Sequence, residues 1–293
     1  MGLFDKLFGR KKPESPPARF DLAELSRRLG IDANLLTGVL PQYQGFSIPK
    51  RRGGLRQIFA PVDDLKKLQR LILRKLLGRL GAHDAAHGFE RGRSIVTNAK
   101  VHTGRRVVLR LDLKDFFTST SAARVEVYFR AIGWSADCAE LLTRLCTHNG
   151  ALPQGAPTSP RLSNLINAKL DARLSALARK HQANYTRYAD DLTFSFDDES
   201  HPKVNGLIHF VKEIVKSEGY QLHLYAKLKI QRCHDRQQVT GLVVNQRVQL
   251  PRDTRRWLRA VEHHVKVGKP VTLSEQQLEG WRSFVSMIEA QRA

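Results

Sequence analysis

The sequence predicts an α+β protein with mainly antiparallel strand pairing. Three observations carry that expectation. RVVLRLDL, residues 106–113, alternates, with Val107, Leu109, Leu111 and Leu113 on one face and Val108, Arg110 and Asp112 on the other. The alternation returns after TRYADD (186–191), where Leu192, Phe194 and Phe196 oppose Thr193 and Ser195. Elsewhere apolar residues recur at helical spacing, as in Leu162, Ile166, Leu170, Leu174 and Leu177 after LPQGAPTSP.

The remaining elements follow in chain order. MGLFDKLFGRKKPESPPARF places Leu3, Phe4, Leu7 and Phe8 at the spacing of one helical face, ahead of Arg10, Lys11 and Lys12. That pattern suits a docking or membrane-touching arm, or a frayed terminus running into a PESPP linker; residues 1–19 are read as a flexible tail and linker. Asp21 to Gly30 predicts a short helix stopped by its glycine. In SIPKRRGGLRQIFAP (47–61), Gly53-Gly54 between two alternating runs predicts a hairpin bearing Lys50, Arg51, Arg52 and Arg56. Leu65, Leu68, Ile72, Leu76 and Leu80 predict a helix. Near the end, Ser274 and Gln277 form a capping-box pattern ahead of an apolar face of Leu278, Trp281, Val285 and Ile288.

Charge narrows the function classes. Among 293 residues, 49 Lys+Arg against 28 Asp+Glu leave a net charge of +21, which points to a polyanionic partner, nucleic acid or an anionic membrane surface. No apolar run approaches a membrane span and no signal-peptide pattern is visible, so a cytoplasmic location without a membrane partner is expected. The 3 cysteines form no CxxC pair and read as reduced thiols.

The carboxylates carry the chemistry. Asp112 ends one strand, and Asp190 and Asp191 stand side by side where another begins. An Asp-rich turn in solvent accounts for ADD by itself. In so basic a protein, however, carboxylates gathered at strand ends make sense as ligands of Mg²⁺, a hard cation that keeps waters and takes substrate phosphates. Two such ions roughly 3.5–4 Å apart activate an attacking hydroxyl and stabilise the leaving oxygen. Without metal, the like charges raise a carboxyl pKa.

YADD (188–191), preceded by LRLDLKDFF (109–117) and LPQGAPTSP (152–160), strongly resembles the palm motifs of reverse transcriptases, over about residues 48–245. The resemblance implies a right-hand polymerase with fingers (20–105), a palm (106–240) whose antiparallel sheet carries the YADD hairpin, and a helical thumb (241–293). It implies Asp112, Asp190 and Asp191 as catalytic aspartates holding two Mg²⁺ ions, with Mn²⁺ as a substitute, and attack of a primer 3′-hydroxyl on the α-phosphate of a dNTP. Phe117 falls at the sugar gate, Gln154-Gly155 at the turn that meets nucleotide and template, and Arg56, with Lys50 and Arg52, at the triphosphate. A glycine at 155 allows close backbone approach to a ligand. Lys227 takes the place of a lysine that assists the leaving pyrophosphate, although Leu228 stands where the family has threonine. Asp115 is read as supporting.

TNAKVH (97–102) and VTGLVVN (239–245), together with AHGFERGRSI (86–95), resemble the NAxxH and VTG elements of the retron group. That likeness implies a cognate structured non-coding RNA of msr–msd type, primed from a guanosine 2′-hydroxyl and partly copied into a branched RNA–DNA hybrid (msDNA). It also implies a role in phage defence with a separate effector protein. RNA contacts are then expected from Asn98, His102 and the basic helix bearing Arg252, Arg255, Arg256, Arg259 and Lys266. The alternatives are an abortive-infection or diversity-generating reverse transcriptase, or an idle RNA-binding scaffold, against which the three intact aspartates weigh.

Overall fold

The computed structural model describes residues 19–50, 53–223 and 228–292, so the expectations for the N-terminal tail, Arg52 and Lys227 lie outside the described residues. The first elements are α1 (Leu22–Leu29), α2 (Ala33–Gly38), β1 (Tyr43–Pro49), β2 (Leu55–Pro61), α3 (Asp63–Ile72) and α4 (Ile95–Lys100). Next come β3 (Val107–Asp112), α5 (Ala122–Ala131), α6 (Ala136–Cys146), α7 (Ser159–Ile166), α8 (Ala168–Lys180), β4 (Asn184–Tyr188) and β5 (Asp191–Phe196). The chain continues through α9 (His201–Ser217), β6 (Lys229–Arg232), β7 (Gln238–Val239), β8 (Leu242–Val243), α10 (Arg252–Lys266) and α11 (Glu275–Arg292). The fold is thus α+β with antiparallel sheets. It divides into two compact units: one runs to Leu80 and includes Thr120–Leu162, and the other comprises Gly81–Ser119 and Ser163 onward.

In the first unit, the Asp21 side chain caps α1 by accepting from the Glu24 N–H, and Gly30 ends the helix at φ 71. The basic hairpin closes as expected, Lys50 N–H donating to the Gly54 carbonyl and Gly53 N–H to that of Lys50. Its strands start further back, at Tyr43, and β1 is almost wholly exposed. The helix predicted through Leu80 is not regular: α3 passes into a π-helical turn, Leu73–Leu77. The extra residue in that turn shifts the phase, so the adjacent Leu76 and Leu77 are both buried and Leu80 only partly. Gln69 of α3 is also buried, donating to the Tyr43 hydroxyl and the Leu145 carbonyl, each at 2.8 Å.

The second unit is built on a sheet of order β4-β5-β3-β6, antiparallel throughout. The alternation read from the sequence separates two cores. Val107, Leu109, Leu111 and Leu113 pack with Phe194, Leu174 and Val211 on one side. Val108 joins Val96, Val239, Leu242, Leu258 and Ile288 on the other. Each fully buried Leu or Phe contributes roughly 1.5–3 kcal/mol relative to exposure, so both faces of β3 stabilise the unit. The single stripe expected from Leu162 to Leu177 is broken at Asn167, whose side chain turns back to the Ser163 carbonyl at 2.8 Å; α7 and α8 are separate helices. The capping box before α11 is present, with Ser274 N–H donating to Gln277 Oε1 and Gln277 N–H to Ser274 Oγ.

Candidate active site at the aspartate hairpin

β4 and β5 are joined by a two-residue loop, Ala189-Asp190, with Tyr188 opposite Asp191. Asp191 in turn stands opposite Asp112 in the β3–β5 ladder. Register therefore places all three predicted aspartates together, two facing across adjacent strands and the third in the turn between β4 and β5. The Leu113 N–H donates to the Asp190 carbonyl at 2.9 Å, tying the turn to the end of β3. Ala189 lies at φ 56, a left-handed conformation that two-residue hairpins usually give to Gly, Asn or Asp.

What imposes that turn is a buried polar network. Arg187 Nη1 donates to the Ala189 carbonyl at 3.2 Å and to Asn164 Oδ1 at 3.0 Å. Its Nε and Nη2 take both oxygens of Asp171, at 2.8 and 2.6 Å. The Tyr185 hydroxyl donates to Asp171 Oδ1 at 2.8 Å. Burial opposes the Arg187 charge, but the Asp171 carboxylate outweighs it and the guanidinium pKa is raised. Burial first, and then Asp171, push the Tyr185 phenol well above its ordinary value. Arg187 and Asp171 escape a sequence reading that follows apolar periodicity, because both are charged residues that stand beside apolar positions, Asp171 next to Leu170 and Arg187 on the Tyr185 face of β4. The available signal was an arginine immediately ahead of YADD.

On the open side of the turn, Arg110 Nη2 lies 3.2 Å from both oxygens of Asp191. His223 donates its backbone N–H to the Asp112 carbonyl, and its Nε2 is 3.8 Å from Asp112 Oδ1. Among the described residues no three His, Cys, Asp or Glu side chains converge tightly enough for an all-protein metal cage. Hard oxygen donors in an incomplete set fit a cation that retains waters and recruits substrate phosphate oxygens. Asp115, three residues past Asp112, sits at φ 47, where its carbonyl accepts from Ser119 N–H and the Thr118 hydroxyl and turns the chain. Phe117 is partly buried, its ring 5.4 Å from Phe116.

The other expected site residues fall in different surroundings. Lys50 and Arg56 are exposed on the basic hairpin. The Gln154 carbonyl accepts from Phe59 N–H at 2.8 Å, and a Cβ on Gly155 would stand 2.8 Å from Ile58 and 2.9 Å from the Phe59 carbonyl. The close approach that requires glycine at 155 is therefore to β2, within the protein. Arg252, Arg255, Arg256, Arg259 and Lys266 are all exposed along α10, and Arg255 and Arg259 line a cavity of about 550 Å³ against α11.

Asn98 and His102 were expected at the RNA. Both are buried, at 1% and 0% exposure. His102 bridges the Ser195 and Thr186 hydroxyls at 2.8 and 2.7 Å. Burial pushes it down to about 3, with small contributions from His87 and Arg105, so it is a neutral structural group. The two short motifs that carry these residues and VTG meet in space: Thr240 Oγ1 donates to the Ile95 carbonyl, and Val96, Ala99, Val239 and Leu242 share one core.

A family model described as Reverse transcriptase (RNA-dependent DNA polymerase) matches residues 48–244. The chain belongs to the reverse transcriptase family. Retron Mx162 reverse transcriptase of Myxococcus xanthus is 42% identical over 312 residues, covering 92% of this chain and 64% of its own length. Retron Mx65 reverse transcriptase of the same organism is 40% identical, with 86% and 62% covered, and Retron Ec86 reverse transcriptase of Escherichia coli is 37% identical, with 83% and 74% covered. Within the family, these similar relatives are retron reverse transcriptases. The chain spans less than two thirds of the length of the two Myxococcus relatives.

Proposed function

We propose that the chain is the RNA-directed DNA polymerase of a retron, copying part of a cognate structured RNA into a branched RNA–DNA hybrid. The observation that carries this reading is the register of Asp112 against Asp191 with Asp190 in the adjoining turn, in a member of this family. The three carboxylates would hold divalent cations, Mg²⁺ by donor chemistry. Bound there, the ions supply activation of the primer hydroxyl and stabilisation of the leaving pyrophosphate oxygen.

The protein's own residues position this centre. Arg187 and Asp171 fix the turn from beneath, and Arg110 holds Asp191 in place. Phe117 limits the room beneath the sugar of an incoming dNTP, and Arg56 and Lys50, exposed on their hairpin, offer charge to its triphosphate. We assign the right-hand divisions as fingers 20–105, palm 106–240 and thumb 241–293. The α10 stripe of Arg252, Arg255, Arg256, Arg259 and Lys266 suits the phosphates of the structured RNA. A separate effector protein and a role in phage defence complete the reading. No helix among the described residues is long and apolar enough to cross a membrane.

The test is sequencing of nucleic acid co-purified after expression with the native upstream locus, beside an Asp190→Ala/Asp191→Ala control. The reading expects short DNA joined to RNA by a debranching-sensitive linkage in the wild type, and RNA alone in the control. RNA alone in both would favour the idle scaffold.

A further inference from the structure

Phe89 is large, aromatic and 48% exposed, yet its backbone is held at φ 64. A bulky residue in the left-handed region is strained, and such strain persists where the surroundings impose it and clusters at ligand sites. Here the surroundings are explicit. Arg187 N–H donates to the Ala85 carbonyl at 2.7 Å, and His87 N–H donates to that of Arg187 at 2.8 Å. Gly88 is pressed so closely on the aspartate turn that a Cβ would stand 2.7 Å from the Ala189 nitrogen. Asn164 Nδ2 then donates to the Gly88 carbonyl and to Glu90 Oε1, each at 2.7 Å, clamping the chain on both sides of Phe89.

That clamp shares Arg187 and Asn164 with the network that holds the YADD turn, so the Phe89 ring is fixed relative to the aspartates. It lies 6.3 Å from Tyr188 and 6.4 Å from Phe117, centroid to centroid. Burial in a core does not explain a ring that is half in water, and no fold requirement accounts for an aromatic side chain at a backbone position suited to glycine.

We propose that Phe89 is a nucleotide contact: with Tyr188 and Phe117 it forms an aromatic shelf that takes the flat face of a base or sugar beside Asp112, Asp190 and Asp191. The proposal rests on the reading of those aspartates as the polymerase centre. Stacking on an aromatic ring tolerates any base, which suits an enzyme that copies sequence without reading it through side chains. The nucleotide is either the incoming dNTP or the terminal residue of the primer.

The experiment uses the full chain in primer extension on an RNA template, with Phe89→Ala, Phe89→Gly and Phe89→Trp, and with Asp190→Asn as control. The KM for dNTP, the Kd for primer–template and the thermal midpoint are measured for each. Loss of the ring is expected to weaken one of the two constants roughly tenfold, with tryptophan close to wild type. A rise in KM assigns the shelf to the incoming dNTP, and a rise in Kd assigns it to the primer terminus. Phe89→Gly is expected to melt no lower than wild type, because glycine adopts this φ freely, so binding and stability move in different directions. The proposal is overturned if the alanine and glycine variants keep both constants within twofold of wild type while Asp190→Asn is inactive. If Asp190→Asn extends primers like wild type, the aspartate reading itself fails and the shelf falls with it.

Discussion

Two arginine–aspartate pairs flank the same hairpin, and they are built for opposite purposes. Arg187 and Asp171 meet at 2.6 Å with both side chains at 0% exposure. Arg110 and Asp191 meet at 3.2 Å with 20% and 32% exposure, and Arg110 Nε has no hydrogen-bond partner among the described residues. The sealed pair is saturated by Asn164, Tyr185 and the Ala189 carbonyl and has no route to solvent. The open pair holds a carboxylate that is still within reach of a ligand. Beneath the turn, charge is spent on rigidity; above it, charge is kept available for exchange.

Breaking the sealed pair sharpens that contrast most. Arg187→Ala or Asp171→Ala leaves an uncompensated buried charge and should destabilise the protein by about 3–5 kcal/mol in urea denaturation. The double variant Arg187→Met/Asp171→Leu should recover most of that loss, since it leaves no charge behind. If each single variant melts like wild type, the pair does not hold the turn.

A pH-dependent effect comes from two buried histidines of the second unit. His87 is pushed down to about 4 by burial and then by Arg93, and His102 to about 3. Unfolding lets each return to about 6.5, so the unfolded chain binds more protons below that pH. Stability is therefore full above pH 6.5 and falls as pH drops toward 4, by about 1.4 kcal/mol per pH unit for each histidine. His102→Gln should remove about one histidine's share of that slope, while a slope equal to wild type would contradict the assignment.

Arg110→Gln should give the smallest stability change, about 1 kcal/mol or less, as expected for a partly exposed pair. Its larger effect should be on the carboxylates: with one positive charge fewer beside Asp191, less Mg²⁺ is needed to reach half of the metal-induced rise in melting temperature. An unchanged Mg²⁺ midpoint would mean that Arg110 and the cation do not compete for that oxygen pair.

Alternation and turn chemistry made the open side legible in the sequence. Val107 to Leu113 and Leu192 to Phe196 fixed which faces are apolar, and the YADD turn followed, bringing Asp112, Asp190 and Asp191 together. The sealed side was not legible, because its partners are joined by tertiary contacts that no periodicity records. Asp171 follows Leu170 in α8 and Arg187 follows Tyr185 on one face of β4 as a charge among apolar residues, while on the opposite face of the sheet Asn98 and His102 are polar residues in a short motif that packs inward. The π-helical turn after α3 and the break at Asn167 were missed for a related reason: packing overrides a regular apolar spacing without changing it.

The most direct test of the central claim is Mg²⁺-dependent incorporation of dNTPs on an RNA template by the purified full chain, with Asp112→Asn and Asp190→Asn run beside it and melting temperatures matched. The account predicts extension by the wild type and losses of at least about a thousandfold in both variants, a barrier increase of about 4 kcal/mol. Extension by either variant within about tenfold of wild type, a difference of about 1.4 kcal/mol, would contradict it.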